Sequence, residues 1–297
     1  MTVPVDHTRR FVDLHTHSTA SDGTVSPAEL VRLADVAHLA AVALTDHDTV
    51  AGLAEARAAA RGCPQLRFVP GVEVSAAYAP GVMHILALGI DDAHPAVAKL
   101  VGQFVDARND RNPKIIAKLQ ELGLRIDMAD VLAVATQLRS RGDSGIVSRM
   151  HMAEALRRKG CVASIQEAFE RYIGSGAPAF VDKERLQPAD VIAAIRAGGA
   201  PAVLAHPVQL RCEDDDHLER IVRSLVDVGL GGIEVYHSDH DDVQTRLYLE
   251  LARRFGLLVT GGSDFHGTGK PHVRLGRPRV CLSAITGPWA RSWLGAG

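Results

Sequence analysis

FVDLHTHSTASDGTVSPAELVRLADVAHLAAVALTDHD, residues 11–48, reads as a strand, a helix and a second strand, and each strand runs out into histidines and carboxylates. FVDLH (Phe11–His15) and AVALTDHD (Ala41–Asp48) are short apolar runs. Between them Ser26 offers an N-cap, Pro27 a first helical residue and Glu29 a capping-box partner, starting a helix that heads toward His38. Units of this kind predict strands and helices wound around a parallel sheet or barrel. The pattern continues with an Ala-rich helix over Val50–Arg61 and a third strand, LRFVPGVEVS (Leu66–Ser75). VEVSA is expected to pair antiparallel with MHILALG (Met83–Gly89) around a loop centred on 77–81, which would set Glu73 near His84.

Between about Ala93 and Gly174 the strand-like runs give way to helical patterns over His94–Leu122, with a kink expected at Pro113, then Met128–Leu138, Ser148–Lys159 and Ser164–Tyr172. Alternation then resumes. Helices over Ala189–Ala197, Asp216–Val228 and Asp242–Phe255 separate the strands AVLAHP (Ala202–Pro207), GGIEVYH (Gly231–His237) and LLVTGGSDFH (Leu257–His266), and VRLGRPRV (Val273–Val280) reads as a barrel-closing strand. The expected organisation is an α/β barrel built from residues 1–98 and 177–297, with a helical insertion, 99–176, capping its site.

The bulk properties narrow the function. A composition with 46% apolar and 23% charged residues is that of a folded chain, and a net charge of −2 argues against a general polyanion-binding surface. No run approaches the roughly 20 apolar residues of a membrane span. MTVPVDHTRRF lacks an apolar signal core, so a cytoplasmic location is expected. Cys63, Cys161, Cys212 and Cys281 are dispersed without a CxxC pair, which argues against a thiolate zinc site or a disulfide framework.

Histidines and carboxylates recur in DLHTH (Asp13–His17), SDG (Ser21–Gly23), TDHD (Thr45–Asp48), PGVEVS (Pro70–Ser75), AHP (Ala205–Pro207) and GSDFH (Gly262–His266), and His84 opens MHILALGI. Taken singly, Asp22 reads as a turn residue, His47 as a surface histidine and His84 as a core one. Glu73 between two valines is harder to dismiss, because a carboxylate on a buried strand face is costly unless paired or metal-bound. Jointly, His15, His17, Asp22, His47, Glu73, His84, His206, Asp264 and His266 are nine nitrogen and oxygen donors at strand ends. That is more than one ion needs and fits two or three divalent ions, and a cysteine-free nitrogen and oxygen set suits Mn²⁺, Fe²⁺ or Zn²⁺ without choosing among them.

The ordered set DLHTH, SDG, TDHD, GVEVS, His84, AHP and SDFH resembles the motif signature of the PHP (polymerase and histidinol phosphatase) superfamily over roughly residues 11–91 and 178–282. The resemblance implies a distorted seven-stranded (β/α) barrel with a trinuclear metal centre at the strand ends. By motif it places one ion on His15, His17, Glu73 and Asp264. A second falls on a bridging Glu73 with His84 and His206, and a third on Asp22, His47 and His266. The single-copy chain with a helical insertion is similar to nucleoside 3′,5′-bisphosphate phosphatases and to RNA-trimming relatives, through RNDRN (Arg108–Asn112), SRMHMAEAL (Ser148–Leu156) and the stretch from Tyr172 to Lys183. The implied reaction removes the 3′-phosphate through a water activated between two ions, with Asp264, His266 and Arg149 as catalytic residues. Arg108, Arg111, Asn112, Arg149, His151, Lys183, His237 and His240 are candidate substrate contacts. Arg108 and Arg111 share a helix face, Arg149 and His151 sit near a helix start, and His237 closes a strand. The expected partner is a small nucleotide, with short RNA as the alternative, and no stable protein partner is expected. Competing readings are a 5′-to-3′ exonuclease, a histidinol-phosphate-type phosphatase and, last, a non-catalytic metal-stabilised binding module.

Overall fold

The computed structural model describes residues 10–138, 147–182 and 185–286. The chain divides into two compact units, one taking in everything up to Val101 and from Arg185 onward, the other Gly102–Glu184.

The first unit is the barrel. Its elements are β1 (Phe11–Asp13), α1 (Pro27–Val36), β2 (Ala41–Leu44), α2 (Leu53–Ala60), β3 (Arg67–Ala76) and β4 (Met83–Leu88). Here α1 begins as its sequence predicts, with the Ser26 side chain accepting the Glu29 N–H at 3.1 Å. The second unit is helical, with α3 (Pro95–Glu121) carrying the chain into it, then α4 (Met128–Leu138), α5 (Arg149–Arg158), α6 (Ile165–Ala168) and a π-helical turn at Phe169–Ile173. α3 passes through Pro113 as one helix. Ile115, Leu119, Val131, Met152, Leu156 and Ile173 form this unit's core. The barrel then resumes with α7 (Pro188–Ala197), β5 (Ala202–Leu204), α8 (Asp215–Asp227), β6 (Gly232–Tyr236), α9 (Asp242–Phe255), β7 (Leu258–Gly261) and β8 (Val280–Cys281).

The strand order is β7-β6-β5-β4-β3-β2-β1-β8. β1, β2 and β3 run parallel, as do β5, β6 and β7, while β4 runs against both of its neighbours. The seven expected strands are thus joined by a two-residue eighth, antiparallel to β1, at the end of VRLGRPRV. Pro278, which has no N–H to give a ladder, sits just ahead of it. β7 stands at one end of the order and β1 next to the other end, yet the Leu14 N–H reaches Gly261 O at 3.1 Å and the Asp264 N–H reaches His15 O at 2.8 Å, so the sheet curls into a nearly closed barrel. Val12, Leu14, Ala41, Ala43, Val69, Leu86, Leu88, Val203, Ala205 and Leu258 meet in one buried cluster, to which β1, β2, β4 and β5 and their continuations give residues two apart, as a period of two requires. Among the described residues, no helix is long and apolar enough to cross a membrane.

Leu86 is fully buried in this cluster. Leu86→Ala should cost the barrel about 2–5 kcal/mol, through lost transfer energy plus an unfilled cavity. A chemical-denaturation midpoint matching the parent's would show that this cluster does not hold the barrel together.

Candidate metal centre

Seven strand ends open onto one rim of the barrel. β1 continues into His15 and His17, β2 into Asp46 and His47, β5 into His206, β6 into His237 and β7 into Asp264 and His266, while β3 contributes Glu73 from within the strand. The reversed direction of β4 puts His84, near its start, at the same rim. The β3–β4 register pairs Ser75 with His84 and Glu73 with Leu86, so Glu73 lies two residues diagonally from His84 rather than opposite it. Residues two apart share a face, and His84 Nδ1 still comes 2.8 Å from Glu73 Oε1.

Glu73 is fully buried, and its two oxygens divide five imidazoles between them. Oε1 faces His84 Nδ1 at 2.8 Å and His206 Nε2 at 2.9 Å. Oε2 faces His47 Nδ1 at 2.9 Å, His17 Nε2 at 3.2 Å and His15 Nε2 at 3.3 Å. Asp264 adds Oδ1 at 3.1 Å from His17 Nε2 and 3.6 Å from His15 Nε2. Asp22 Oδ1 lies 3.2 Å from His266 Nε2, and its Oδ2 lies 3.8 Å from His47 Nε2. All nine candidate ligands therefore converge. The Asp22 side chain, at 38% exposure, is the most open of them, while His15, His17 and Glu73 are sealed.

These residues fit divalent ions. Ligand atoms of His17, Asp22, His47 and His266, of His15, His17 and Glu73, and of His47, Glu73 and His84 lie within 4.8 Å of one another in each group. Among the described residues, His15 Nε2, both ring nitrogens of His17 and Glu73 Oε2 are buried without a hydrogen-bond partner. Buried lone pairs converging in this way are what a cation satisfies. A further group of His15, Glu234 and His237 has the same spacing, but its hydrogen bonds argue against ligation. His237 Nδ1 accepts the Asp239 N–H at 3.0 Å, which puts the ring proton on Nε2, 3.5 Å from Asp264 Oδ2. His15 and His266 are set the opposite way, since Nδ1 of each faces an oxygen, Glu234 at 3.1 Å and the Asp264 carbonyl at 2.8 Å. Each thereby offers the lone pair on Nε2.

A second layer holds the rim. Three aspartates each take both the N–H and the hydroxyl of a serine on a neighbouring strand end. Asp13 binds Ser263 at 2.8 and 2.6 Å, Asp46 binds Ser18 at 2.8 and 2.7 Å, and Asp48 binds Ser75 at 2.9 and 3.1 Å. Asp46 also accepts from Ser21 Oγ at 2.5 Å, next to Asp22. Gly262 is required where β7 turns onto β1, because a Cβ there would stand 2.4 Å from the His15 backbone nitrogen. Asp264 follows in the left-handed region at φ +57°. Its Oδ2 meets Lys270 Nζ at 2.5 Å.

The charges are interdependent. Burial opposes ionisation of Glu73 and Asp264, yet the surrounding histidines hold both carboxyls well below their ordinary range. Burial likewise opposes protonation of His17, but Asp264 and Glu73 raise it to about 9, and with Glu234 they raise His15 as well. For His84, burial and the neighbouring rings His47 and His206 prevail over Glu73, and its value falls to about 4. One carboxylate does not serve five rings at once.

Of the expected substrate contacts, His237 belongs to this cluster. His240 stands behind it, with Nδ1 2.8 Å from Val235 O and its ring against Tyr248. The others lie on the helical unit. Arg108, Arg111 and Asn112 are on α3, where Arg111 Nη2 donates to Asn112 Oδ1 at 3.1 Å and Asn112 Nδ2 to Val147 O at 2.9 Å. Arg149 Nη1 donates to Ile173 O at 3.0 Å and lies over the Phe180 ring. His151 Nδ1 accepts the Ser148 N–H at 3.0 Å, as a capping-box side chain does. Lys183 is outside the described residues. Glu234, Lys270 and the aspartates Asp13, Asp46 and Asp48 join the site without being among the residues expected from the sequence. Glu234 between Ile233 and Val235 carries the same signal as Glu73 between valines.

Residues 13–172 match the PHP domain family. The chain is 35% identical over 278 residues to a 3′,5′-nucleoside bisphosphate phosphatase of Chromobacterium violaceum, which covers 91% of this chain and 93% of that protein. It is 31% identical to the 5′-3′ exoribonuclease Rnm of Escherichia coli, covering 93% and 92%. Among solved structures, one described as a metal-dependent phosphoesterase from Bifidobacterium adolescentis superposes with a TM-score of 0.77 at 31% identity, over 96% of both chains.

In metal-free protein the histidines predict a stability maximum near pH 6.5. His84 and His240, held at about 4, make the unfolded chain bind more protons between about 4 and 6.5, so stability rises with pH there. The contribution of protonated His17 is complete below 6.5 and is lost as pH climbs through about 9, and that of His15, raised well above its ordinary value, is lost in the same direction. Melting temperatures in a chelator should therefore fall from pH 6.5 to 9, and divalent ions, which require deprotonated rings, should remove that decline. A flat chelator profile across this window would contradict the charge arrangement.

Proposed function

The chain belongs to the PHP family and is a metal-dependent phosphoesterase, and on that premise we propose that it removes the 3′-phosphate of nucleoside 3′,5′-bisphosphates. The observation that carries the metal reading is Glu73, whose two oxygens face different histidines, as a carboxylate bridging two ions must. His15, His17, Glu73 and Asp264 would hold one ion, Glu73, His84 and His206 a second, and Asp22, His47 and His266 a third. Mn²⁺ is our first choice of ion, with Fe²⁺ or Zn²⁺ as alternatives that nitrogen and oxygen donors accept equally. When bound, the ions supply Lewis acidity to the phosphoryl oxygens and acidify a water for attack.

The chain's own residues do the rest. Asp264 and His266 hold their donor atoms in place through Lys270 and through the His266 Nδ1 contact to the Asp264 carbonyl. His237 presents an Nε2–H beside Asp264, suited to a phosphoryl oxygen, with His240 behind it. We assign the helical insertion, which we take as residues 99–176 capping the site, and Lys183 beyond it to the substrate's other phosphate and its nucleoside. Arg108, Arg111, Asn112, Arg149 and His151 are its polar contacts, with Arg149 taking charge from the reacting phosphate. Binding the second phosphate there would fix the 3′ group for reaction. The bisphosphate preference is supported by the Chromobacterium violaceum relative. The exoribonuclease relatives keep 5′-to-3′ trimming of short RNA as the second reading. The dispersed cysteines suit a cytoplasmic setting.

A phosphate-release assay with Mn²⁺ should rank nucleoside 3′,5′-bisphosphates above nucleoside monophosphates, histidinol phosphate and 5′-phosphorylated oligoribonucleotides. Faster turnover of the oligoribonucleotides would replace this substrate with the second reading. Asp264→Ala should lower kcat by about a thousandfold or more, since a ligand change forfeits several kcal/mol of charge stabilisation. Near-parental turnover in that variant would remove Asp264 from the metal site.

A further inference from the structure

We propose that Glu234 couples two of the metal positions, gripping His15 by its side chain and His206 by its backbone, so that loosening one ion loosens the other. The inference rests on the metal-site part of the function proposed above and deepens it. Glu234 stands on β6 between Ile233 and Val235, is fully buried, and belongs to none of the proposed ligand sets. Both of its carboxylate oxygens lie 3.1 Å from His15 Nδ1. Its Oε2 also accepts the His206 backbone N–H at 2.9 Å. His15 and His206 belong to different ligand sets, and their rings stack with centroids 5.5 Å apart and planes inclined by 25°. On their other side stands Glu73, with Oε2 toward His15 Nε2 and Oε1 toward His206 Nε2. The two histidines therefore stand between two carboxylates, Glu73 facing the Nε2 of both rings and Glu234 holding the ring of one and the backbone amide of the other.

Two physical effects follow. A carboxylate on Nδ1 fixes the proton there, aims the Nε2 lone pair at the ion and makes the imidazole a stronger donor. His206 adopts φ 23° and ψ 70°, a backbone conformation that residues with side chains rarely occupy unless the surroundings hold them there. The hydrogen bond from its amide to Glu234 is such a hold, and it sets where the His206 ring can reach. Removing the charge at Glu234 thus weakens His15 electronically and releases His206 geometrically. Glu234 is a positioning residue, acting through the two histidines.

The test is a Co²⁺ titration of metal-free protein, followed by visible absorption and by counting bound ions, with Glu234→Gln compared to the parent. Two ions should bind about 10–100-fold more weakly in the Gln variant, at unchanged far-ultraviolet dichroism, with the parental spectrum regained at high Co²⁺. Glu234→Asp, which keeps the charge but withdraws it by one methylene, should fall between parent and Gln variant, and it carries the measurement if the Gln variant does not fold. Parental affinity in both variants, or weakening confined to one ion, would overturn the proposal. A parent protein that binds no more than one Co²⁺ would overturn the metal site and this inference together. Full binding without bisphosphate turnover would refute only the substrate, and the Glu234 comparison would still decide the coupling.

Discussion

A carboxylate with no solvent exposure, surrounded by five imidazoles, is the constraint around which this molecule is arranged. Leaving such a charge uncompensated in the interior costs several kcal/mol. Protons alone compensate it poorly, because carboxylates raise His15 and His17 while burial and the neighbouring rings His47 and His206 keep His84 low. Divalent ions held by these residues would remove the conflict by taking the place of the protons. The geometry of the barrel follows from bringing the donors of seven strands to one rim. Parallel strands deliver their C-terminal ends there, and β4, running backwards, delivers its beginning.

The rim is laced together by a repeated device. Asp13 to Ser263 ties β1 to the segment after β7, Asp46 to Ser18 ties the ends of β2 and β1, and Asp48 to Ser75 ties the end of β2 to β3. Each aspartate takes a backbone N–H and a hydroxyl together, so each strand end is fixed in position and in orientation. Ligand spacing tighter than a strand's own freedom allows is thereby built into the backbone.

Much of this could be read from the chain, and what was missed has physical reasons. The alternation of short apolar runs with capped helices marks the barrel, because burial periodicity and N-cap chemistry are local; Ser26 and Pro27 start α1 where they should. The nine donors stand out through their position at strand ends. Their register is less accessible. Glu73 faces Leu86 across the ladder, and only the shared face of residues two apart brings it to His84. Asp13, Asp46 and Asp48 lie inside the same motifs as the histidines, but a carboxylate that grips a serine and one that grips an ion look alike in one dimension. Glu234 was overlooked although its apolar neighbours match those of Glu73. The roles of Asn112 and His151 are harder still, since their contacts to Val147 and Ser148 depend on how the helical unit packs within itself.

The helical unit enters between β4 and β5, two strands that pair directly through Ile85 and Leu204. In topological terms it is an overgrown hairpin connection. Strand pairing on either side fixes the entry and exit points, so residues can be gained, lost or exchanged in that connection without disturbing the register of any strand that bears a metal-type residue. Such an arrangement separates two evolutionary clocks: the rim that bears the metal-type residues is held by strand pairing, while the long connection is free to drift.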